Sequence, residues 1–232
     1  MYFDWTYLVF LAPALLFSMW ASARVKSSYR RYSSQYSRRG LTAAQAAQQV
    51  LRAAGVYDVS IQRVSGELTD HYDPKDNVIR LSDSVFGASS TAAIGVACHE
   101  AGHAIQYAES YGPVRLRSAI IPVCNLGAQL SGPLIFAGFL LAGFSESLIV
   151  LAYLGIIGFA LATLFQLVTL PVEFNASRRA MEAIQGQSIL DEEELKGVRS
   201  VLSAAALTYV AALAVSLMQL LRFIVLVNRR RD

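Results

Sequence analysis

Two of the three histidines in this 232-residue chain fall in His99-Glu100-Ala101-Gly102-His103, a spacing with a specific chemical use. Residues four apart share one face of an α-helix. Two imidazoles placed this way can bind one Zn²⁺ at about 2.0–2.1 Å. Glu100, one residue round from His99, is placed to hold an attacking water and take its proton. Zinc polarises the peptide carbonyl and lowers the pKa of its water toward about 7. The pattern points to peptide-bond hydrolysis by a zinc endopeptidase with a glutamate general base.

A catalytic zinc needs a third protein ligand and an open fourth position. Glu173 and His71 are the candidates. Glu173 opens Glu-Phe-Asn-Ala-Ser-Arg-Arg-Ala, which after Pro171 should be helical, placing Glu173 and Ser177 on one face. That small-residue face can pack against the zinc helix, so Glu173 is preferred. His71 lies in Asp70-His71-Tyr72-Asp73-Pro74. There His71 or Tyr72 could donate to a developing oxyanion if the segment folds over the cleft; the plainer reading is an Asx-type turn. Gln106 and Tyr107, beyond the histidines, read as packing and surface residues.

The elements that must position these groups follow from local signals. Ser89 and Ser90 can cap a helix over 91–109, stopped by Gly112 and Pro113, and Gly102 leaves room beside the metal. Thr42 is a fitting N-cap for an Ala-rich helix over 43–54 that Gly55 ends. Residues 59–64 and 78–81 alternate as short strands around a turn-rich 69–77. The second strand could pair with an extended substrate.

Hydrophobic residues make up 54% of the chain and charged ones 16%, and mean hydropathy is positive, which is unusual for a soluble protein. Charge-free runs cover 5–23, 118–145, 147–172 and 200–221. Each reaches the roughly 20 residues that cross a bilayer as a helix. Asp4 and the continuation into Trp20 argue for a retained anchor rather than a cleaved signal peptide. Arg24, Lys26, Arg30, Arg31, Arg38 and Arg39 follow the first run, and Arg178, Arg179, Lys196 and Arg199 follow the third. By the positive-inside rule both segments are cytoplasmic. Arg222 lies beside the fourth run and must snorkel or face protein; that run either spans fully or lies partly in the interface. The basic residues interleaved with Tyr29, Tyr32 and Tyr36 read as a headgroup-contacting linker, not a nucleic-acid site. Cys98 and Cys124 are too few for a disulfide framework. Asn125, Gln129, Ser131 and Gln166 read as interhelical hydrogen-bonding groups.

These motifs resemble the YugP-type membrane zinc metallopeptidases, and more distantly the HtpX-type and CAAX-prenyl membrane proteases of the gluzincin class. The resemblance extends over nearly the whole chain and rests on the N-terminal anchor, Leu-Thr-Asp-His-Tyr-Asp-Pro at 68–74, Val-Ile-Arg-Leu-Ser at 78–82, the His-Glu-Ala-Gly-His-Ala-Ile-Gln run at 99–106, and Glu-Phe-Asn-Ala-Ser at 173–177. It implies that Glu173 is the third ligand and that a membrane hairpin separates the two ligand helices. HtpX-like relatives carry an aspartate four residues after the ligand glutamate that supports a zinc histidine; here that position is Ser177. Asn175, Ser177 and Asp70 are therefore the candidates for orienting the histidines.

The resulting expectation is a mainly α membrane protein, with about four transmembrane helices and a small α+β cytoplasmic zincin-like lobe. Residues 1–23 form an anchor and 24–117 the lobe with the zinc helix. A transmembrane hairpin occupies 118–172, a cytoplasmic helix with the third ligand 173–199, and a membrane helix with a basic tail 200–232. Zn²⁺ is the expected cofactor. The expected partners are the lipid bilayer and membrane-protein or unfolded polypeptide substrates, with no nucleic acid. The site faces the cytoplasm, close to the cytoplasmic membrane, because Arg117 lies fourteen residues beyond His103 and Glu173 follows a membrane run at once. A metal-binding protein without protease activity, a transporter, and a peptidase restricted to short peptides or lipidated tails are the competing readings.

Overall fold

The computed structural model describes residues 5–67 and 69–229. Its elements are α1 (Ala12–Ser33), α2 (Ala43–Ala53), β1 (Ser60–Val64), β2 (His71–Asp73), β3 (Val78–Ser82), α3 (Asp83–Phe86), α4 (Thr91–Ala108), α5 (Gly112–Leu141), α6 (Val150–Gly186) and α7 (Glu192–Asn228). They form two compact units. One is built from the chain up to Trp20, Leu116–Leu170 and the chain from Thr208 onward; the other comprises Ala21–Arg115 and Pro171–Leu207.

In the first unit the apolar runs are helices. Among the described residues, four helices are long and apolar enough to cross a membrane: α1 with a π-helical turn before it, α5, α6 and α7. Large apolar side chains such as Leu126, Phe136 and Ile157 are exposed, as expected where the surrounding solvent is lipid. Each helix overruns its charge-free run. Composition marks where charge begins, whereas backbone hydrogen bonding continues through good helix formers such as Ala180, Met181, Glu182 and Ala183.

Small residues bring α5 and α6 together. A Cβ added to Gly155 would lie 2.7 Å from the Ser131 carbonyl oxygen, and one on Gly158 would lie 2.7 Å from that of Gly127. Such backbone approach is how helices gain contact in lipid, where apolar burial supplies little drive. The Ser131 hydroxyl bonds back to Ala128 of its own helix, while Thr163 and Ser216 share a 2.7 Å hydroxyl contact between α6 and α7. Arg222 is buried and faces protein: its Nε donates to Thr6 Oγ1, and its guanidinium lies 3.5 Å from the Tyr7 ring centroid. Both contacts offset the cost of a charge in an apolar setting.

The second unit holds the chemistry. Thr42 and Gln45 form a reciprocal capping box at the start of α2, and Gly55, at φ +74°, ends that helix in a conformation glycine adopts at little cost. The core joins Val50 and Leu51 of α2, Ile79 and Leu81 of β3, Ile94 of α4 and Ile184 of α6. The sheet has the order β1-β3-β2. β1 runs parallel to β3 with Ser60 opposite Val78, and β2 runs antiparallel with Tyr72 opposite Ile79.

Two expectations change here. The segment read as turn-rich contains β2, whose edge position is fixed by side chains: Asp70 accepts from the Ser82 N–H and hydroxyl, and Arg80 pairs with Asp73 at 2.6 Å. The Arg80 guanidinium also holds the Asp73 carboxyl below the usual carboxylate range. β3 is paired on both sides and has no open edge for a substrate strand; the outer edge near the chemistry belongs to β2. The end of the basic linker is also docked on this unit. Ser37 N–H donates to Ser89 carbonyl at 2.8 Å, and Arg38 N–H donates to the buried Glu194 carboxylate at 2.7 Å.

Candidate metal centre

The Ser90 side chain accepts from Ala93 N–H and starts α4, which is buried along most of its length. Its periodicity puts His99 and His103 on one face, with ring centroids 4.7 Å apart and the rings edge to face. Across from them α6 presents Glu173. Its Oε2 lies 3.3 Å from His99 Nε2 and 3.4 Å from His103 Nε2, and all three side chains are nearly buried. Ligands at about 2.0–2.1 Å around a tetrahedral zinc stand about 3.3–3.4 Å apart, so both distances equal an edge of that tetrahedron. The donor set, two imidazole nitrogens and one carboxylate oxygen, suits the same ion.

The electrostatics agree. Burial acts to strip the proton from His103, but the hydrogen bond to Glu173 and the charges of Glu100 and Glu173 outweigh it, and His103 is raised above the ordinary imidazole value. Cys98, by contrast, is wholly buried, and desolvation pushes its thiol far up; it is an inert packing residue.

Glu100, also nearly buried, accepts the Tyr72 backbone N–H at 2.9 Å on Oε2. The edge strand β2 thereby fixes the rotation of this carboxylate. Tyr72 meets Glu100 through its backbone; its phenol donates to Asn77 Oδ1 at 2.7 Å. Burial, with Tyr107, Asp58 and Asp73 nearby, raises that phenol above its ordinary value, so it stays neutral. His71 is exposed on β2, with Nδ1 2.8 Å from Thr69 carbonyl oxygen, and lies outside the group of three. Asp70 is occupied with Ser82.

Ser177 and Asn175 both stand near the histidines. Ser177 Oγ is 3.2 Å from His99 Nδ1. Asn175 meets Gln106, which by its sequence reads as a packing or surface residue. Gln106 is fully buried, its Oε1 is 3.0 Å from His103 Nδ1, and its Nε2 donates to Asn175 Oδ1 and Val172 carbonyl. Its position three residues after His103 on the same helix face was the available signal.

Gly102 makes room for α6 rather than for the metal. A Cβ there would lie 2.6 Å from Ala176 carbonyl oxygen. We expect Gly102→Ala to push α6 away from α4, cost roughly 1–3 kcal/mol as overpacking does, and lower zinc content because Glu173 moves with Ala176. Thermal melting and metal analysis of the purified protein check this; a variant with unchanged melting and full zinc would show that the two helices do not need this approach.

The chain is 49% identical over 225 residues to "Putative membrane protease YugP" of Bacillus subtilis (strain 168), covering 97% of this chain and 98% of that protein. No solved structure matches it. A family profile described as "Putative neutral zinc metallopeptidase" matches residues 7–228, nearly the whole chain and both ligand helices, and the chain belongs to that zinc metallopeptidase family.

Proposed function

We propose that this chain is a membrane-embedded zinc endopeptidase of the gluzincin type, with His99, His103 and Glu173 as ligands and Glu100 as general base. The observation that carries the reading is the pair of tetrahedron-edge distances from Glu173 to the two histidines, with Glu100 one residue away on α4. Zinc held there supplies Lewis acidity toward the scissile carbonyl and an acidified water. Glu100, its Oε2 held by Tyr72 N–H, takes the proton of the attacking water on Oε1 and passes it to the departing amine nitrogen. An extended substrate runs beside β2, the edge strand of the sheet. His71 is exposed on the same strand, on the face opposite Tyr72, whose ring packs against Tyr107.

The site faces the cytoplasm, which the basic residues after the first and third apolar runs support. Glu173 follows a charge-free run directly, which favours membrane proteins and membrane-proximal unfolded segments as substrates, as protein quality control requires. The test uses inverted cytoplasmic-membrane vesicles carrying the protein and an unfolded polypeptide added outside. Cleavage should stop with a chelator and return with zinc. Cleavage that persists in metal-free protein sinks the mechanism, and cleavage confined to right-side-out vesicles sinks the orientation.

A further inference from the structure

We propose that Arg179 is a positioning residue for the metal: acting through Asn175 and Gln106, and alongside the Val172 carbonyl, it holds the tautomer of His103 whose Nε2 faces the ion. The inference rests on the zinc-site reading above and deepens it. It follows from donor and acceptor roles that chemistry leaves no freedom to change.

A guanidinium donates and never accepts. Arg179 Nε lies 2.7 Å from the Asn175 side-chain amide, so the group it meets there is the oxygen. That same Oδ1 is 2.9 Å from the end of Gln106, which must then be the amino group. The Val172 carbonyl, 2.8 Å away and able only to accept, requires the same assignment. Gln106 therefore turns Oε1 toward His103, 3.0 Å from Nδ1, and Nδ1 must carry the hydrogen. In the neutral imidazole His103 Nε2 is then left with its lone pair on the side of Glu173, whose Oε2 lies 3.4 Å away.

Gln106, Asn175 and His103 are buried, so no water can substitute for a misdirected partner. Without Arg179 the Asn175 amide can reverse and present its amino group to that of Gln106, which weakens the lock on Gln106. Arg179 is itself tied down. Its NH2 pairs at 2.7 Å with Glu109, the residue that caps α4, and its guanidinium lies 5.8 Å from the Tyr111 ring. One side chain of α6 thus joins the end of the zinc helix to the orientation of a ligand on it.

The experiment measures zinc affinity by competition with a chromophoric chelator in detergent-purified protein, with thermal melting alongside. Arg179→Gln, whose amide can present either an oxygen or an amino group to Asn175, should bind zinc roughly tenfold or more weakly, the range for outer partners of a ligand histidine. Arg179→Lys keeps a donor without an acceptor and should return within about threefold of the parent. Glu109→Gln removes the ion pair but not the donor to Asn175; it should lower the melting temperature while leaving zinc affinity unchanged. Parental affinity in Arg179→Gln, no recovery in Arg179→Lys, or an equal loss in Glu109→Gln overturns the proposal, the last because it assigns Arg179 a merely structural role. If the parent chain itself binds no zinc, the zinc-site reading has failed instead, and the two failures are distinct.

Discussion

Glu100→Gln should retain about one zinc per chain and lose cleavage by roughly 10²–10⁴, the usual contribution of a positioned general base. The substitution keeps the shape of the side chain, and Gln Oε1 can still accept the Tyr72 N–H that holds Glu100. Among the described residues the group that could hold a metal is His99, His103 and Glu173, without Glu100, so the proposed metal binding has no reason to change. Only proton transfer is lost. Cleavage of an unfolded polypeptide and metal content are measured on the same sample. Equal cleavage by variant and parent excludes the mechanism, whereas joint loss of zinc and cleavage would make Glu100 a ligand and require a different base.

Glu173→Ala should lose zinc altogether under dialysis that leaves the parent loaded. Removing a ligand costs more than removing an outer partner, which is already worth roughly 10–100-fold in affinity. The substitution also leaves His99 and His103 without the carboxylate that both contact at 3.3 and 3.4 Å, so only two of the three donors remain. Because α6 also packs on α4 through Gly102 and Ala176, which the substitution leaves in place, the fold should persist. Melting in the absence of metal tests that separately. Full zinc content in Glu173→Ala would move attention to His71, the third histidine, which lies on β2 at the edge of the sheet.

What the amino-acid order determines by itself is whatever depends on residues within a few turns of one another. Helical periodicity puts His99 and His103 on one face without help from the rest of the chain. Capping is equally local, and Thr42, Ser90 and Gly55 mark the ends of their helices as expected. Charge-free length identifies the four apolar helices, since the bilayer requirement is a property of one segment at a time. Glu173 was legible as the preferred ligand only because it begins a small-residue helix face.

Packing between distant segments decided the rest. β2 carries His71 and Asp73 and follows Asp70, a composition that favours turns; it is a strand because β3 and the anchor from Asp70 to Ser82 hold it there. Gln106 looked like a surface residue because its partners, Val172 and Asn175, lie more than sixty positions away. Gly102 looked like space for a metal, and it is the point where the α6 backbone crosses α4. A hydrogen bond between helices depends on crossing angle, register and side-chain direction together, none of which any single stretch of sequence contains. The ligand-bearing helix is thus determined locally, while the third ligand's distance and the orientation of His103 exist only once α4 and α6 are packed.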